Sequence, residues 1–330
     1  MNSTPPQPVE RILLLRLSAL GDCAAAIPVL LALRERFPHA HIAWAIQDNN
    51  LPLIRNIEEL DEAIIFPRAR WRQARTMTKL REGRRLIRHL RKRRFDVAVD
   101  VQSNSKSALL AWLSGAPVRI GHGSEEAREV SASFNNRLIP PPPSEPHIIR
   151  RNLNLLSALG IDQPEVRFSL PKDAAAHKQM QRWLAHGGLQ AQQYVLLTPF
   201  CGRPEKEWPR AHFSELAHRL ASAGVPVVIQ RSPGREAECD EIVREAQHEK
   251  ITASPPTNIP QLVELIRMAG LVFGGDTGPL QIAGALGTPS ICLFGPTDPN
   301  RLRPWSACEV MSLEIDPITA AKTILTQYHQ

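Results

Sequence analysis

Asp276, Thr277 and Gly278 lie in the stretch FGGDTGPLQIAGALGTPSICLFGPTDP (273–299), and the same tripeptide carries the catalytic carboxylate of aspartic proteases. Those enzymes need two carboxylates sharing one proton, so a chain of this size should carry the tripeptide, or its Ser variant, twice. It occurs once. Leu280, Ile282, Ala283 and Leu286 then mark a short helix, and PSICLF (289–294) reads as a buried strand. That is a βαβ setting, not a protease lobe. In it the backbone N–H groups of Thr277 and Gly278 open a helix, and a helix N-terminus receives phosphate oxygens. Asp276 cannot itself welcome phosphate, so it either caps this helix or bonds hydroxyls of a neutral group such as a sugar.

A second acid, Asp22 in LSALGDCAAAIP, follows an apolar strand directly. It reads as an N-cap, or as a carboxylate facing a cleft, where it could accept a proton from an attacking hydroxyl. Gly21 beside it permits a tight backbone. Lys206 in TPFCGRPEKEWP could neutralise a diphosphate leaving group, or it is a solvated loop lysine. Glu236 at a helix start could bind ribose hydroxyls. Ser103-Asn104-Ser105-Lys106 has the S-x-x-K spacing of penicillin-binding enzymes, without the K-T-G or S-D-N that should follow. The eleven histidines show no metal-ligand spacing, so no metal is expected. Trp208 reads as a packing anchor.

These residues need elements to hold them. Strands are expected at 11–17, 41–47, 62–67, 95–102 and 118–122, with helices at 23–37, 74–93, 105–114 and about 147–160. After two Pro-punctuated stretches the pattern restarts. Helices are expected at 173–186, 211–223, 235–247, 260–268 and 278–286, alternating with strands at 194–199, 225–230, 250–252, 270–276 and 289–295. Near-continuously apolar strands separated by helices imply parallel sheets covered on both faces. The expected fold is therefore α/β, with two Rossmann-like doubly wound domains, 1–165 and 166–330. A final helix at 316–328 has no evident dock, the N-terminal domain being one candidate. Ligands of such sheets sit beyond the carboxyl ends of the strands, which singles out Ser18–Asp22 and Gln102–Lys106 in the first half. The second half offers 198–209, 231–236, 274–279 and 295–299, and is the better phosphate site.

Hydrophobic content of 43% and charged content of 22% suit a soluble globular protein. The longest apolar run, Cys23–Leu33, contains Pro28 and is too short to cross a bilayer. MNSTPPQPVE has neither a basic n-region nor an apolar h-region, so no signal peptide is expected. Cysteines 23, 201, 239, 292 and 308 are odd in number and lack CxxC spacing, as free thiols of a reducing cytoplasm would be. The net charge is +7, and residues 68–94 hold thirteen Lys and Arg against one acid, Glu82. Leu80, Gly83, Leu86, Ile87 and Leu90 make this stretch amphipathic, so it is either a solvated helix face or a surface for an anionic partner. Nucleic acid and an anionic lipid headgroup both qualify. Low aromatic content and the absence of a nucleic-acid-binding signature count against the former.

In order along the chain, RILLLRLSALGDCAAAIPVLLALRERFP, FDVAVDVQSNSKSALLAWLSGAPVRIGH with SEEARE, HIIRRNLNLLSALG, RPEKEWP and GGDTGPLQIAGALGTPSICLFGPTDP resemble glycosyltransferase family 9, the lipopolysaccharide heptosyltransferases. The resemblance implies a GT-B fold with an interdomain cleft, the acceptor on the N-terminal side and the nucleotide-sugar on the C-terminal side. It implies inverting transfer of heptose from ADP-heptose to the anionic lipopolysaccharide inner core, with no metal or other cofactor. The protein would be cytoplasmic or peripheral on the inner membrane, with no nucleic acid and no obligate protein partner. By position Asp22 matches the family's base. Donor contacts are expected from Thr198, Lys206, Glu236, Asp276, Thr277, Gly278 and Gln281, and acceptor contacts from Ser18, Gly21, Gln102, Lys106 and Arg119. The basic segment would hold the lipid acceptor, its charges acting over about 8 Å at physiological salt. Two departures stand out. Gln281 replaces the usual His of D-T-G-x-x-H, and Thr198-Pro199-Phe200 replaces the frequent His-Pro-Gly. They leave open another nucleotide-sugar or acceptor, or a catalytically silent nucleotide-sugar binding protein.

Overall fold

A computed structural model describes residues 9–123, 131–142 and 145–328. SEEARE (124–129) and Pro143 therefore lie outside the described residues. The chain divides between Pro171 and Lys172 rather than at 165/166. Residues 161–173 form no helix or strand, and the first part of this connection stays with the first domain. Arg150 donates to the Pro164 carbonyl at 2.9 Å, and Arg167 pairs with Glu35.

In the first domain β1 (Arg11–Leu15), β2 (His41–Gln47), β3 (Glu62–Phe66), β4 (Val97–Asp100), β5 (Val118–His122) and β6 (Arg137–Ile139) form one parallel sheet in the order β3-β2-β1-β4-β5-β6. In the second, β7 (Val195–Thr198), β8 (Val227–Ile229), β9 (Ile251–Ala253), β10 (Leu271–Gly275), β11 (Ser290–Phe294) and β12 (Cys308–Ser312) are parallel in the order β12-β11-β10-β7-β8-β9. Read from the middle outward, the two orders are the same. Each reverses direction beside its first strand, between β1 and β4 and between β7 and β10. Strand interiors such as Ile12–Leu15, Trp44 and Val195–Leu197 are fully buried, as a doubly covered sheet requires.

Where the structure departs from the expected elements, local chemistry explains the difference. The helix expected at 23–37 is two helices, Leu20–Ala24 and Ile27–Arg36. Pro28 sits in the first turn of the second, where its missing N–H costs nothing. The basic helix is also two, Arg68–Gln73 and Thr76–Arg93, because Ala74 and Arg75 are extended. Trp71 pins the shorter helix, stacking edge-on against Phe66 and donating its indole N–H to Glu82 at 2.7 Å. Strands β6 and β12 are additional to the ten expected. Both are short, mostly exposed edge strands that lack a buried apolar run. The last helix, Pro317–Tyr328, is built into the core of its own domain and not that of the N-terminal one. Ala320, Ala321 and Ile324 are buried there, in the same cluster as Leu216, Ala217 and Leu220 of the helix Arg210–Ser222.

Trp208 anchors that core. It meets Phe213 and Phe273 edge-to-face at 5.1 and 5.6 Å, and its N–H reaches the Ile315 carbonyl. Beside it β7 and β10 approach so closely that a Cβ on Gly274 would lie 2.0 Å from Thr198 Oγ1 and 2.6 Å from the Thr198 carbonyl oxygen. The second of these is backbone and cannot swing aside. Gly274→Ala should therefore destabilise the protein by about 3 kcal/mol, the upper range for overpacking, read as a lowered urea midpoint with an unchanged m-value.

Candidate active site: two half-sites at the strand-order reversals

Arg16, directly after β1, is a charge at the end of an apolar strand. It is 8% exposed and therefore needs partners. One terminal nitrogen donates to the Val101 carbonyl at 3.0 Å, and the other pairs with Asp22 Oδ2 at 2.7 Å. Its backbone carbonyl accepts the Trp44 indole N–H at 3.0 Å. The Arg16 backbone is thus held from β2, and its guanidinium from the residue after β4 and from Asp22. Asp22 stands at the third position of the helix Leu20–Ala24, and its Oδ2 also accepts the Ala19 N–H at 3.1 Å. Capping and ion pairing both use Oδ2. Oδ1 has no partner among the described residues, and the side chain is 40% exposed. The arrangement is a carboxylate with one oxygen fixed and the other open, which is what proton acceptance from a hydroxyl requires. Neighbouring Cys23 is no nucleophile, since burial pushes its thiol up to about 12.

β4 supplies the other side of the reversal. Asp100 at its end is fully buried, and burial raises its carboxyl against the hydrogen bonds it accepts from Ser103, Ser107, Asn135 and Gln102. Those bonds set the turn that aims Gln102, whose Oε1 accepts the Leu17 N–H at 2.6 Å. Gln102 therefore braces the Asp22 loop instead of standing free for an acceptor. Ser18 is partly buried and accepts from Gln47 at 3.4 Å. Gly21 is a buried helical residue without the left-handed backbone that a tight turn would need. Lys106 is exposed in the first turn of the helix Ser105–Ser114, with Asn104 as its cap. Arg119 lies elsewhere. It is near the start of β5, and its guanidinium is occupied by the Phe134 and Ala116 carbonyls at 2.8 and 2.7 Å. This is the amino end of the sheet, so Arg119 is a structural residue.

At the second domain's reversal, Lys206 and Asp276 meet. Lys206, closing the 3₁₀ turn Pro204–Lys206, lies 2.6 Å from Asp276 Oδ2, and the Thr297 hydroxyl donates to the same oxygen at 3.1 Å. The pair is nearly dry, with side chains 14% and 9% exposed. Asp276 is thus not the helix cap. Thr277 is the N-cap residue of the helix Gly278–Leu286, but its side chain makes no capping bond, and Thr277 Oγ1 is buried without a partner among the described residues. With the first-turn amides of Gly278 and Leu280 it forms a donor cluster at a helix N-terminus. Thr198 is not part of it, because its hydroxyl is buried and directed at the Phe273 carbonyl. Gln281 donates to the Leu302 carbonyl at 2.6 Å, tying this helix to the turn Pro299–Leu302. Exposed Glu236 closes its own loop by accepting the Gly234 N–H at 2.9 Å, the bond that holds its carboxyl below the usual range. Among the described residues no group of three or more His, Cys, Asp or Glu is placed to hold a metal.

The family model for glycosyltransferase family 9 (heptosyltransferase) matches residues 83–326. Lipopolysaccharide heptosyltransferase 3 of Escherichia coli is 29% identical over 291 residues, covering 87% of this chain and 84% of its own. A glycosyl transferase family 9 structure from Veillonella parvula superposes with a TM-score of 0.83 at 19% identity, covering 98% of this chain and 99% of that one. The E. coli heptosyltransferase WaaC solved with ADP gives 0.79 at 22% identity, over 96% and 99%. The two sheets accordingly form a GT-B fold.

The dry Lys206–Asp276 pair predicts a stability signature. Lys206→Met strands a buried carboxylate and should cost about 3 kcal/mol, whereas Lys206→Met combined with Asp276→Leu should recover most of that loss. Thermal melting of the two single variants and the double variant measures the coupling.

Proposed function

The chain belongs to glycosyltransferase family 9, and from that premise we propose that it transfers heptose from ADP-heptose to the anionic inner core of lipopolysaccharide, inverting the anomeric carbon and using no metal. Asp22 Oδ1 takes the proton of the acceptor hydroxyl. The hydroxyl's own oxygen bonds to the anomeric carbon, and the bond from the carbon to the phosphate oxygen breaks, its electron pair leaving with ADP. The open Oδ1 of a carboxylate whose other oxygen is doubly held is the observation that carries this reading. In the second domain Lys206, the Thr277 hydroxyl and the Gly278 amide are assigned to the diphosphate, and the remaining oxygen of Asp276 to a sugar hydroxyl. The ADP named in the E. coli WaaC structure supports that choice of nucleotide. Lys106 and the basic segment 68–94 are assigned to the acidic acceptor, at the cytoplasmic face of the inner membrane.

One observation favours a second reading. Gln281 stands where the family usually has His, and its amide is engaged by Leu302, which suits a donor other than ADP-heptose. Thermal shift with ADP-, UDP- and GDP-sugars separates the readings, because the largest stabilisation identifies the nucleotide.

Transfer from ADP-heptose to a Kdo–lipid A acceptor tests the mechanism. Asp22→Asn should lower kcat by about 10³-fold, the range of a lost general base, with ADP affinity retained. Full activity in Asp22→Ala would overturn the assignment. Arg16→Met should lower kcat by about 10²-fold through misplacement of the base, with the donor KM unchanged, and Arg16→Lys should recover part of the loss.

A further inference from the structure

The helix Thr76–Arg93 presents two unlike faces. Leu86 and Leu90 point inward, Leu90 into the core with Phe95 and Leu110. At 3.6 residues per turn the opposite face carries Met77, Arg81, Arg84, Arg88 and Arg91, with Leu80 at its edge. Met77 is 76% exposed and Leu80 51%, one turn apart at the start of the helix. Large apolar side chains this open are not explained by packing within the chain. The charges around them are not neutralised either. Of the thirteen Lys and Arg between residues 68 and 94, Arg70 pairs with Glu82 and Arg93 with Glu62. The others form no ion pair among the described residues, Arg81 acting on Glu82 only through space. Arg88 and Arg91 turn their Nε atoms to the Arg84 and Leu113 carbonyls, which leaves their charge uncompensated.

We infer that this outward face docks on an anionic phospholipid bilayer, with Met77 and Leu80 inserted below the headgroups and the arginines of the following turns lying among the phosphates. A helix with one strongly basic face and a few protruding apolar residues suits the plane of an interface. Among the described residues no helix is long and apolar enough to cross a membrane, so the contact is made from one side. Each arginine near an anionic surface strengthens attachment about fivefold, and the effect fades within a Debye length. Charge alone would steer without holding, and the two apolar side chains supply the part that salt does not remove. Nucleic acid fits this face less well. A phosphate backbone offers nothing to Met77 and Leu80, and single-strand binding relies on stacked aromatics. Trp71 is unavailable for stacking, being engaged by Phe66 and Glu82.

The inference deepens the assignment of segment 68–94 proposed above and uses none of the donor chemistry, so attachment and transfer can fail separately. Flotation of the full-length protein with vesicles of phosphatidylcholine alone, or of phosphatidylcholine mixed with phosphatidylglycerol, tests it without donor or acceptor. The protein should float with the mixed vesicles only. Arg84→Gln with Arg88→Gln should weaken attachment about 25-fold, two charges at the fivefold step. Met77→Ser with Leu80→Ser, which leaves every charge in place, should weaken it at least about tenfold with an unchanged melting temperature, and should make the remainder fully removable by salt. Equal flotation with both vesicle types, undiminished flotation of the Ser/Ser variant, or binding of a short DNA with no vesicle binding would each overturn the docking face.

Discussion

Two sheets whose strands all run one way impose the constraint on which the rest depends. Crossovers that return to the start of a parallel strand lie on the face dictated by their handedness. When the strand order reverses, neighbouring crossovers leave toward opposite faces, and the carboxyl ends between them stay uncovered. Each domain has one such place, between β1 and β4 and between β7 and β10. Asp22, Gln102 and Lys106 follow the first pair of strands, and Lys206, Asp276 and Thr277 the second. The candidate residues sit where the backbone topology leaves room for a ligand.

The two half-sites each hold a carboxylate, one open and one nearly dry, with different cations. Arg16 offers a rigid planar fork, and it divides that fork between a backbone carbonyl and Asp22. The result is a fixed orientation for the carboxylate proposed to meet the acceptor hydroxyl. Lys206 brings a compact charge on a flexible stem. It is held against Asp276, and in the proposed role it would turn to phosphate by rotating a few bonds. A guanidinium suits the first role and an ammonium the second, because one requires geometry to persist and the other requires it to change.

Much of this was legible in the sequence. Apolar runs bounded by Gly, Pro and Asp marked ten of the twelve strands, and the rule of carboxyl ends led to Asp22, Lys206 and the turn at 276–278. Edge strands β6 and β12 escaped because a half-exposed strand has no apolar signature. The roles of Gln102, Thr198 and Arg119 escaped for another reason. A polar residue near a strand end can face ligand or brace the backbone, and only the partner, distant in sequence, decides which. Arg16 and Asp100 did leave a signal, as charges at the ends of otherwise apolar strands. A buried charge implies a counterpart, so such positions mark where two distant segments meet. Asp276 shows the limit of local reading, since its partners Lys206 and Thr297 lie on two other loops.

Each domain has its own complete sheet, and with it one half of the proposed chemistry: the proton acceptor assigned to the first and the phosphate cradle assigned to the second. No residue of the base's scaffold, from Arg16 through Asp22, Trp44 and Val101, belongs to the donor's. Changes such as glutamine at position 281 can therefore accumulate in one half while the other keeps its geometry. On the proposed assignment, a lineage built this way can explore new sugars and nucleotides as a lathe takes new tools, with the part that would drive the reaction left in place.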